Sequence, residues 1–379
     1  MHLHRSAEPF APQLVMRAIT SVTLATALTS SPLAAQARPQ GQNRPRQVVK
    51  INPARAESLY VSTAHDDHPV SDFDAQIRDK ASTDSIYAAR TRGVLEYRKI
   101  KYRSSVGDMD IPAYVFAPLN KRGQRGHAAM VWVHGGVHGD WDAGALPFVK
   151  EAVNRGYVII APDYRGSTGY GKEHYNAIDY GGYELDDVAS AVDYLKTLPY
   201  VDPDRIGIMG WSHGGYITAL LVMRDNTPFK AAAAIVPVTN LVFRLSYKGP
   251  YYQRQFATQA RIGGLPFEKN EEYIKRSPLY QVDKLRIPIL VHVATNDEDV
   301  NFVEDQQMVD ALRSRKPDLA ETMVYVNPPG GHGYMMQVDG QTIEPRWSPA
   351  MRDSWNRTWA FLEWNLRPYE DRSKPAPAP

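Results

Sequence analysis

The sequence predicts an α/β fold with a mostly parallel central sheet that is flanked by helices. Two observations lead to this prediction. Short apolar runs alternate with helical patterns, and the runs are apolar at almost every position, as in strands buried on both faces of a covered parallel sheet. They occupy residues 128–133, 157–161, 205–209 and 287–294. In such a sheet the active-site residues are expected at the carboxyl ends of the strands.

The first elements of the sheet are predicted to pair differently. Residues 97–103 and 111–117 are rich in β-formers and flank a Val-Gly-Asp turn at residues 106–108. This arrangement predicts an antiparallel pair of strands at the start of the sheet.

Helical periodicity marks the segments between the later strands. In residues 184–198 apolar side chains recur every three or four positions, so one stripe is predicted to face the sheet. The stripe consists of Leu185, Val188, Val192 and Leu195. Similar patterns predict helices over residues 303–315 and 348–366, and a further helix over residues 75–92.

Composition excludes several classes of function. The 379 residues are 43% hydrophobic and 23% charged with a formal net charge of +2, which indicates a globular chain without a large basic face for nucleic acid. The chain contains no cysteine. This composition rules out disulfides, cysteine-ligated metals, a lipidated N-terminal cysteine and a cysteine nucleophile. Nucleophilic catalysis therefore requires another atom, and serine is the first candidate.

A turn motif lies between the predicted strand at residues 205–209 and a predicted helix over residues 216–224. Residues 210–214 read Gly-Trp-Ser-His-Gly, which fits the pattern Gly-x-Ser-x-Gly. A sharp strand-to-helix turn of this kind strains its serine and exposes the hydroxyl, while the glycines leave room for the tight backbone. Ser212 is therefore the candidate nucleophile, and the His213 amide is a candidate oxyanion donor. The alternative is a glycine turn with an incidental serine.

Candidates for the acid and the base follow the serine along the chain. In folds with this turn, each partner lies in a loop after a later strand, in the order Ser, acid, His. Asp297 and Asp299 follow the strand predicted at residues 287–294, and His332 follows the strand predicted at residues 322–326. We expect His332 to accept the serine proton while an aspartate fixes its tautomer. The alternatives are a solvated loop histidine and an acidic surface turn.

A buried strand ends in a His-Gly-Gly turn whose last residue is Gly136. We expect the Gly136 amide to act with the His213 amide as the donors to a tetrahedral oxyanion. His134 and His138 have the spacing of metal ligands, but a strand end does not place both rings on one face. The His-Asp-Asp-His segment at residues 65–68 is a similar pair in a polar stretch, for which a solvated loop is predicted. We therefore predict no metal and no other cofactor.

Several segments match one family in order and spacing. They are residues 161–172 (Ala-Pro-Asp-Tyr-Arg-Gly-Ser-Thr-Gly-Tyr-Gly-Lys), 184–188 (Glu-Leu-Asp-Asp-Val) and 210–216 (Gly-Trp-Ser-His-Gly-Gly-Tyr). Together with the Ser-Pro pair at residues 277–278, they resemble the catalytic domain of the prolyl oligopeptidase family of serine peptidases. The resemblance extends over about residues 98–366.

The resemblance implies an α/β-hydrolase fold with Ser212 as nucleophile, His332 as base and Asp297 as acid. It favours Asp297 over Asp299 because the family's acid lies three positions before a valine, which is Val300 in this sequence. The activity that it implies is hydrolysis of peptide bonds through an acyl-enzyme.

One departure from the family pattern bears on specificity. Typical members carry a β-propeller ahead of this domain, whereas about 60 residues separate the predicted cleavage site from residue 98 here, too few for a propeller. This leaves a stand-alone carboxylesterase and a non-catalytic binding protein with a relic fold as alternatives to a peptidase. Arg165 and Glu184 match family positions of structural character and are not assigned to catalysis.

Substrate contacts are predicted from position alone. Tyr247 and Tyr251 lie in the segment between two strands, residues 241–280, where an acyl or side-chain pocket is expected. Core packing is the alternative for both side chains. We expect a small peptide or ester substrate, with no nucleic-acid partner and no membrane anchor.

The N-terminal segment is predicted to be a secretory signal. Residues 1–37 combine a basic residue, a short apolar stretch and a small-residue site, so we expect cleavage after Ala37 and a secreted or periplasmic bacterial protein. The alternative is a disordered N-terminus of a cytoplasmic protein. Either Met1 or Met16 fits as the start of translation.

The rest of the chain is predicted to contain one domain. Residues 38–97 are expected to form a linker and a short N-terminal extension, and residues 98–368 the α/β-hydrolase catalytic domain. Residues 369–379 are rich in proline and alanine at their end and are predicted to be a disordered tail.

Overall fold

The structure, a computed structural model, describes residues 71–374. The signal predicted over residues 1–37, the linker through residue 70 and its histidine pair at residues 65–68 lie outside the described residues. The same holds for residues 375–379 of the predicted tail.

Within the described residues, eight strands form one mixed sheet. They are β1 (Glu96–Arg103), β2 (Asp110–Ala117), β3 (His127–Val133), β4 (Val158–Pro162), β5 (Val201–Trp211), β6 (Ala232–Ile235), β7 (Ile289–Ala294) and β8 (Ala320–Tyr325). Their spatial order is β1-β2-β4-β3-β5-β6-β7-β8. The β1–β2 and β2–β4 pairs are antiparallel, and every other neighbouring pair is parallel. The predicted fold class is therefore confirmed.

The helices of the described chain lie mostly between consecutive strands. They are α1 (Phe73–Thr91), α2 (Leu146–Asn154), α3 (Lys172–Asn176), α4 (Tyr183–Lys196), α5 (His213–Val222), α6 (Leu241–Tyr247), α7 (Pro250–Ala257), α8 (Asn270–Lys275), α9 (Phe302–Arg315) and α10 (Pro349–Leu366). The predicted helices correspond to α1, α4, α5, α9 and α10. Helix α5 begins three residues earlier than predicted, directly after Ser212.

Two hydrophobic cores cover the two faces of the sheet, as a parallel sheet requires. Helices α4, α5 and α9 contribute to one core, and helices α2 and α10 contribute to the other. The four members of the predicted α4 stripe are all buried, at 0–4% exposure. On the opposite face, Trp355 and Trp359 of α10 stack on each other and lie 1% exposed. The sequence therefore predicts correctly which side of α4 faces the sheet.

Strand β6 is the one strand of the described sheet that the sequence does not predict. Its residues, Ala-Ala-Ala-Ile, include three of a type with low β-propensity, and the run is short. All four residues are buried between β5 and β7, which supply the backbone partners on both sides. These residues therefore form a strand because β5 and β7 supply hydrogen-bond partners, and not because of their own β-propensity.

The fold also extends further towards the C-terminus than predicted. The Arg122 and Arg205 side chains both donate to the Glu370 carbonyl oxygen, at 3.2 and 3.0 Å. The Ser373 hydroxyl accepts a hydrogen bond from the Gly123 amide at 3.1 Å. Residues 369–374 therefore contact the domain, although they were predicted to begin the disordered tail.

Helix α1 is anchored to the domain by a buried cation. Lys80 is 2% exposed, and its Nζ lies 2.9 Å from Asp140 Oδ2 and 2.6 Å from Asp163 Oδ2. It also donates to the Trp141 carbonyl oxygen at 2.8 Å. Burial opposes ionisation of Asp163, but Lys80 and His134 still lower the pKa of this carboxyl below its usual range. The N-terminal extension is thus tied to the loop that follows β3.

We predict that Lys80→Met destabilises the protein by about 3–5 kcal/mol, because it leaves buried carboxylates without their cation. Lys99→Met is the matched control. Lys99 pairs with Asp84 at 2.6 Å, but both side chains are about one-third exposed, so its loss is expected to cost less than about 1 kcal/mol. Urea unfolding of both variants measures the difference, and equal effects would contradict the anchoring role of Lys80.

Candidate active site

The turn between β5 and α5 holds Ser212 in a strained conformation. Its φ is +57° and its ψ is −119°, in a region that side-chain-bearing residues rarely adopt. The glycines on either side make the turn feasible. A Cβ atom on Gly210 would lie 2.2 Å from the Gly214 carbonyl oxygen, and one on Gly214 would lie 2.2 Å from the Val133 carbonyl oxygen. The predicted nucleophile therefore lies on a tight strand-to-helix turn packed against the end of β3.

Ser212, His332 and Asp297 form a continuous hydrogen-bonded chain. His332 Nε2 lies 2.8 Å from the Ser212 hydroxyl oxygen, and Nδ1 lies 2.7 Å from Asp297 Oδ2. A carboxylate only accepts hydrogen bonds, so the proton of a neutral His332 resides on Nδ1 and leaves Nε2 free to accept from the serine. The structure brings these three predicted residues together from three separate loops.

The loops that carry the base and the acid are fixed by backbone contacts. Asp297 Oδ1 accepts hydrogen bonds from the Asp299 and Val300 amides at 2.9 and 2.8 Å, which leaves Oδ2 directed at His332. His332 lies in a 3-10 turn (Gly331–Gly333), and its carbonyl oxygen accepts from the Trp211 indole at 3.0 Å. The residue before the nucleophile therefore holds the loop of the base.

Asp299 lies on the other side of the imidazole. Its Oδ2 atom is 3.7 Å from His332 Nε2, whereas Asp297 contacts Nδ1. Asp299 also forms ion pairs with Lys248 at 2.7 Å and Arg244 at 3.4 Å. Burial opposes its ionisation, yet Arg244, His332 and Lys248 together lower the pKa of Asp299 well below its usual range. Both candidate acids of the sequence analysis therefore lie near His332, Asp297 at Nδ1 and Asp299 at Nε2.

The two predicted oxyanion donors lie at the ends of neighbouring strands. Residue Gly136 follows β3 with φ +74°, and His213 is the first residue of α5. The Tyr164 hydroxyl donates to the Gly136 carbonyl oxygen at 2.8 Å and holds this turn in place. Within residues 71–374, neither the Gly136 nor the His213 amide donates to a backbone acceptor outside a helix or strand. Both amides are therefore available to an oxyanion in this arrangement.

The side chain of His213 is held from beneath the turn. Its Nε2 lies 3.0 Å from Glu184 Oε1, and both side chains are buried. Glu184 Oε1 also accepts from the Gly181 amide at 2.8 Å. The pair fixes the start of α5, where the predicted oxyanion amide lies. Glu184 is thus a positioning residue, in keeping with the structural character of the family position that it matches.

The histidines with metal-ligand spacing have protein partners. His134 Nε2 lies 2.8 Å from the Ser167 hydroxyl, and burial lowers the pKa of His134 to about 4. His138 Nδ1 lies 2.7 Å from the Gly166 carbonyl oxygen, and its ring stacks on Tyr175. Among residues 71–374 no group of three His, Cys, Asp or Glu side chains is arranged to hold a metal ion.

The structure separates the two tyrosines that were predicted to bind substrate. Tyr247 donates its hydroxyl to Glu304 Oε2 at 2.5 Å and accepts from Arg244 at 3.1 Å. The Tyr247 hydroxyl therefore belongs to a hydrogen-bonded network with Glu304 and Arg244, next to Asp299. Tyr251 is 41% exposed and lines a cavity of about 590 Å³ together with His138. Sequence alone does not indicate the network, because it joins residues that are about 60 positions apart.

Two cavities adjoin the hydrogen-bonded chain. One of about 330 Å³ is lined by Asn296, Glu298, Asp299, Gly330, Gly331 and His332. The other, of about 340 Å³, is largely apolar, and its lining includes Trp132, Gly135, Trp141, Trp211, Met336 and Val338. An acidic cavity thus lies beside the base, and an apolar one lies beside the turn that contains Gly136.

Comparison with protein families finds a match to the model described as "Prolyl oligopeptidase family" over residues 148–346, which include Ser212, Asp297 and His332. The chain belongs to the prolyl oligopeptidase family.

Individual relatives agree with this assignment. The chain is 30% identical to the "Uncharacterized peptidase YuxL" of Bacillus subtilis over 218 residues, which are 57% of this chain and 32% of that protein. It is 31% identical to the "Dipeptidyl aminopeptidase BIII" of Pseudoxanthomonas mexicana over 206 residues, covering 53% and 30%. The chain thus spans about a third of the length of these curated relatives.

Solved structures share the fold of this prolyl oligopeptidase family member. The acylaminoacyl peptidase of Pyrococcus horikoshii superposes with a TM-score of 0.60 at 22% identity, covering 75% of this chain and 44% of that one. At this identity the likeness concerns the fold, which is that of the α/β-hydrolase domain. None of the helices within residues 71–374 combines the length and the apolar character that crossing a membrane requires.

We predict that Gly135→Ala lowers kcat/KM of this family member by at least about 100-fold, because small displacements of catalytic groups have effects of this size. The added Cβ would lie 2.2 Å from the Trp211 ring, and Trp211 precedes the nucleophile and holds the His332 loop. Gly340→Ala is the control, since its Cβ would meet nothing within 4 Å. Steady-state hydrolysis of an activated ester measures both variants, and unchanged activity of Gly135→Ala would contradict the tight fit of the turn.

Proposed function

We propose that the chain is a serine hydrolase that cleaves peptide bonds through an acyl-enzyme. The observation that carries the proposal is the hydrogen-bonded chain from Ser212 through His332 to Asp297, on a strained turn at the carboxyl ends of parallel strands. This combination of nucleophile, base and orienting carboxylate is the one that acyl transfer requires.

The proposed mechanism uses the atoms as they are placed. The Ser212 hydroxyl oxygen attacks the carbonyl carbon while its proton moves to His332 Nε2, and the Asp297 carboxylate stabilises the imidazolium through Nδ1. The carbonyl oxygen becomes an oxyanion that accepts hydrogen bonds from the Gly136 and His213 amides, and each such donor contributes about 3–4 kcal/mol.

The second half of the cycle releases both products. The C–N bond breaks as His332 returns its proton to the leaving nitrogen, and the acyl group remains on Ser212 as an ester. A water molecule then gives its proton to His332 Nε2 and attacks the ester carbon. The second oxyanion collapses, the serine oxygen regains the proton, and the carboxylic acid leaves.

The curated relatives favour peptide bonds over esters. YuxL is described as a peptidase and the Pseudoxanthomonas mexicana protein as a dipeptidyl aminopeptidase, and the matched segments are 30% and 31% identical. The same triad also hydrolyses esters, so the carboxylesterase alternative differs in substrate rather than in mechanism. The relic-fold alternative differs in having no activity at all.

We predict that a fluorophosphonate probe labels the wild-type protein and that Ser212→Ala abolishes both labelling and hydrolysis, with a loss of several orders of magnitude in rate. Ser85→Ala is the control, because Ser85 is exposed on α1 and its hydroxyl donates to the Ala81 carbonyl oxygen of the same helix. Rates on a p-nitrophenyl ester and on peptide anilides separate the candidates. Ester cleavage without anilide cleavage at high enzyme concentration would overturn the peptidase, and absence of labelling would favour a relic fold.

We also propose that residues 1–37 direct export. The support lies in the order of Arg17, the apolar stretch at residues 18–28 and the small residues 34–37, which is the arrangement of a secretory signal. Expression of the full chain in a bacterium with a periplasm is expected to yield a periplasmic protein whose N-terminal residue is Arg38. A cytoplasmic protein that retains Met1 or Met16 would contradict the proposal.

A further inference from the structure

Asp299 lies in the candidate active site but takes no part in the proposed mechanism. Its Oδ2 atom lies 3.7 Å from His332 Nε2, the nitrogen that also contacts the Ser212 hydroxyl. The side chain is 20% exposed and lines the acidic cavity of about 330 Å³. A second carboxylate therefore lies close to the nitrogen that contacts the Ser212 hydroxyl.

The partners of Asp299 engage one carboxylate oxygen more closely than the other. Lys248 contacts Oδ1 at 2.7 Å, whereas among residues 71–374 the contacts of Oδ2 are the long ones to Arg244 at 3.4 Å and to His332 at 3.7 Å. Arg244 is also shared, because it donates to the Asp299 carbonyl oxygen and to Tyr247 at 3.1 Å each. Lys248 and Arg244 are buried, so the carboxylate rather than its cations is presented to a substrate.

The distances fit an ion pair between Asp299 and the protonated α-amine of a residue attached to Ser212. Because the two contacts share Nε2, Asp299 Oδ2 lies within roughly 6.5 Å of the Ser212 hydroxyl oxygen. In an acyl-enzyme the α-nitrogen of the attached residue is three bonds from that oxygen, at roughly 3–4 Å. An ion pair of about 3 Å between ammonium and carboxylate spans the remaining distance.

We propose that Asp299 binds the protonated α-amine of the substrate's N-terminal residue, so that the enzyme releases single residues from peptides or from aminoacyl amides. This inference rests on the proposed function and specifies its substrate. It makes Asp299 a specificity-determining residue of the catalytic domain itself. The amine of a dipeptidyl acyl group lies a further residue away, at a distance that this carboxylate does not reach without displacing the P1 residue.

The other lining groups support a cation rather than an anion at this site. The described residues that line the cavity are Asn296, two glycines, the base and the carboxylate-bearing Glu298 and Asp299, and no lysine or arginine is among them. An acylated amine would place a neutral amide against Asp299 and leave the carboxylate facing an apolar blocking group. Such substrates are therefore expected to bind more weakly.

The test compares aminoacyl 4-nitroanilides with free and with N-acetylated α-amines, using the side chain that the wild-type enzyme cleaves fastest. The wild type is expected to prefer the free amine by at least tenfold in kcat/KM. For the free-amine substrate, kcat/KM is also expected to fall as the pH rises through about 8, where an α-ammonium loses its proton. The N-acetylated substrate is expected not to show this fall. These measurements need no variant, so they remain decisive even if a substitution impairs folding.

In Asp299→Asn, KM for the free-amine substrate is expected to rise at least tenfold, while kcat/KM for the N-acetylated substrate stays within threefold. Asp193→Asn, which removes an exposed carboxylate of α4 that pairs with Lys196, is the control and is expected to change KM less than twofold. Asp297→Asn is expected to lower kcat for both substrates together. Fluorophosphonate labelling and thermal unfolding of each variant report on the triad and the fold.

Three outcomes would overturn the inference. One is equal cleavage of free and acetylated substrates, and the second is a preference for dipeptidyl anilides with a free N-terminus. The third is a loss in Asp299→Asn that is the same for both substrates, which would make Asp299 a positioning residue for His332. In each case labelling of Ser212 would persist. Absence of labelling and of all hydrolysis would instead contradict the proposed function.

Discussion

The backbone of Ser212 is the constraint on which the rest of the site depends. A positive φ at a residue with a side chain costs of the order of 1–3 kcal/mol and persists only where the surroundings leave no alternative. Here β5 leads directly into α5, and β3 passes so close that a side chain at Gly214 would collide with the Val133 carbonyl oxygen. The turn therefore places the buried Ser212 hydroxyl 2.8 Å from His332 Nε2, and it makes His213, which carries the predicted oxyanion amide, the first residue of α5.

Buried charges hold the loops that surround this turn. Lys80 ties helix α1 to the loop after β3, the Arg165 guanidinium forms hydrogen bonds of 2.7 and 2.6 Å to the Asp187 carboxylate, and Glu184 holds the His213 ring. Ion pairs of this kind often contribute little net stability because removing both charges from water is costly. Their geometry is specific, however, and each one fixes a loop at the carboxyl end of a strand. Helix α1 is accordingly part of the scaffold of the candidate active site rather than an appendage to it.

Two aspartates two residues apart contact opposite nitrogens of one imidazole. Asp297 accepts two backbone hydrogen bonds on one oxygen, so its other oxygen is directed at Nδ1 of His332. Asp299 is turned away by its ion pairs with Lys248 and Arg244, which place it beside Nε2. The same loop thus places one carboxylate at Nδ1 of His332 and another near Nε2, the nitrogen that contacts Ser212. This difference in surroundings, rather than in residue type, gives the two acids different proposed roles.

The sequence by itself determines the fold class, because strands buried on both faces must be apolar throughout and helices on a sheet need one apolar stripe. It also places Ser212, an acid and His332 after three separate strands, since each lies next to a local signal: a Gly-x-Ser-x-Gly turn, an acidic loop and a glycine-rich loop. The family resemblance then selects Asp297 as the acid. What only the tertiary structure decides is long-range. Strand β6 forms because its neighbours supply backbone partners, and Tyr247 is committed to Glu304 across 57 positions. Contacts between distant residues leave no periodic or local trace, so only the folded chain could show Asp299 paired with Lys248 and Arg244 and placed at Nε2 of His332.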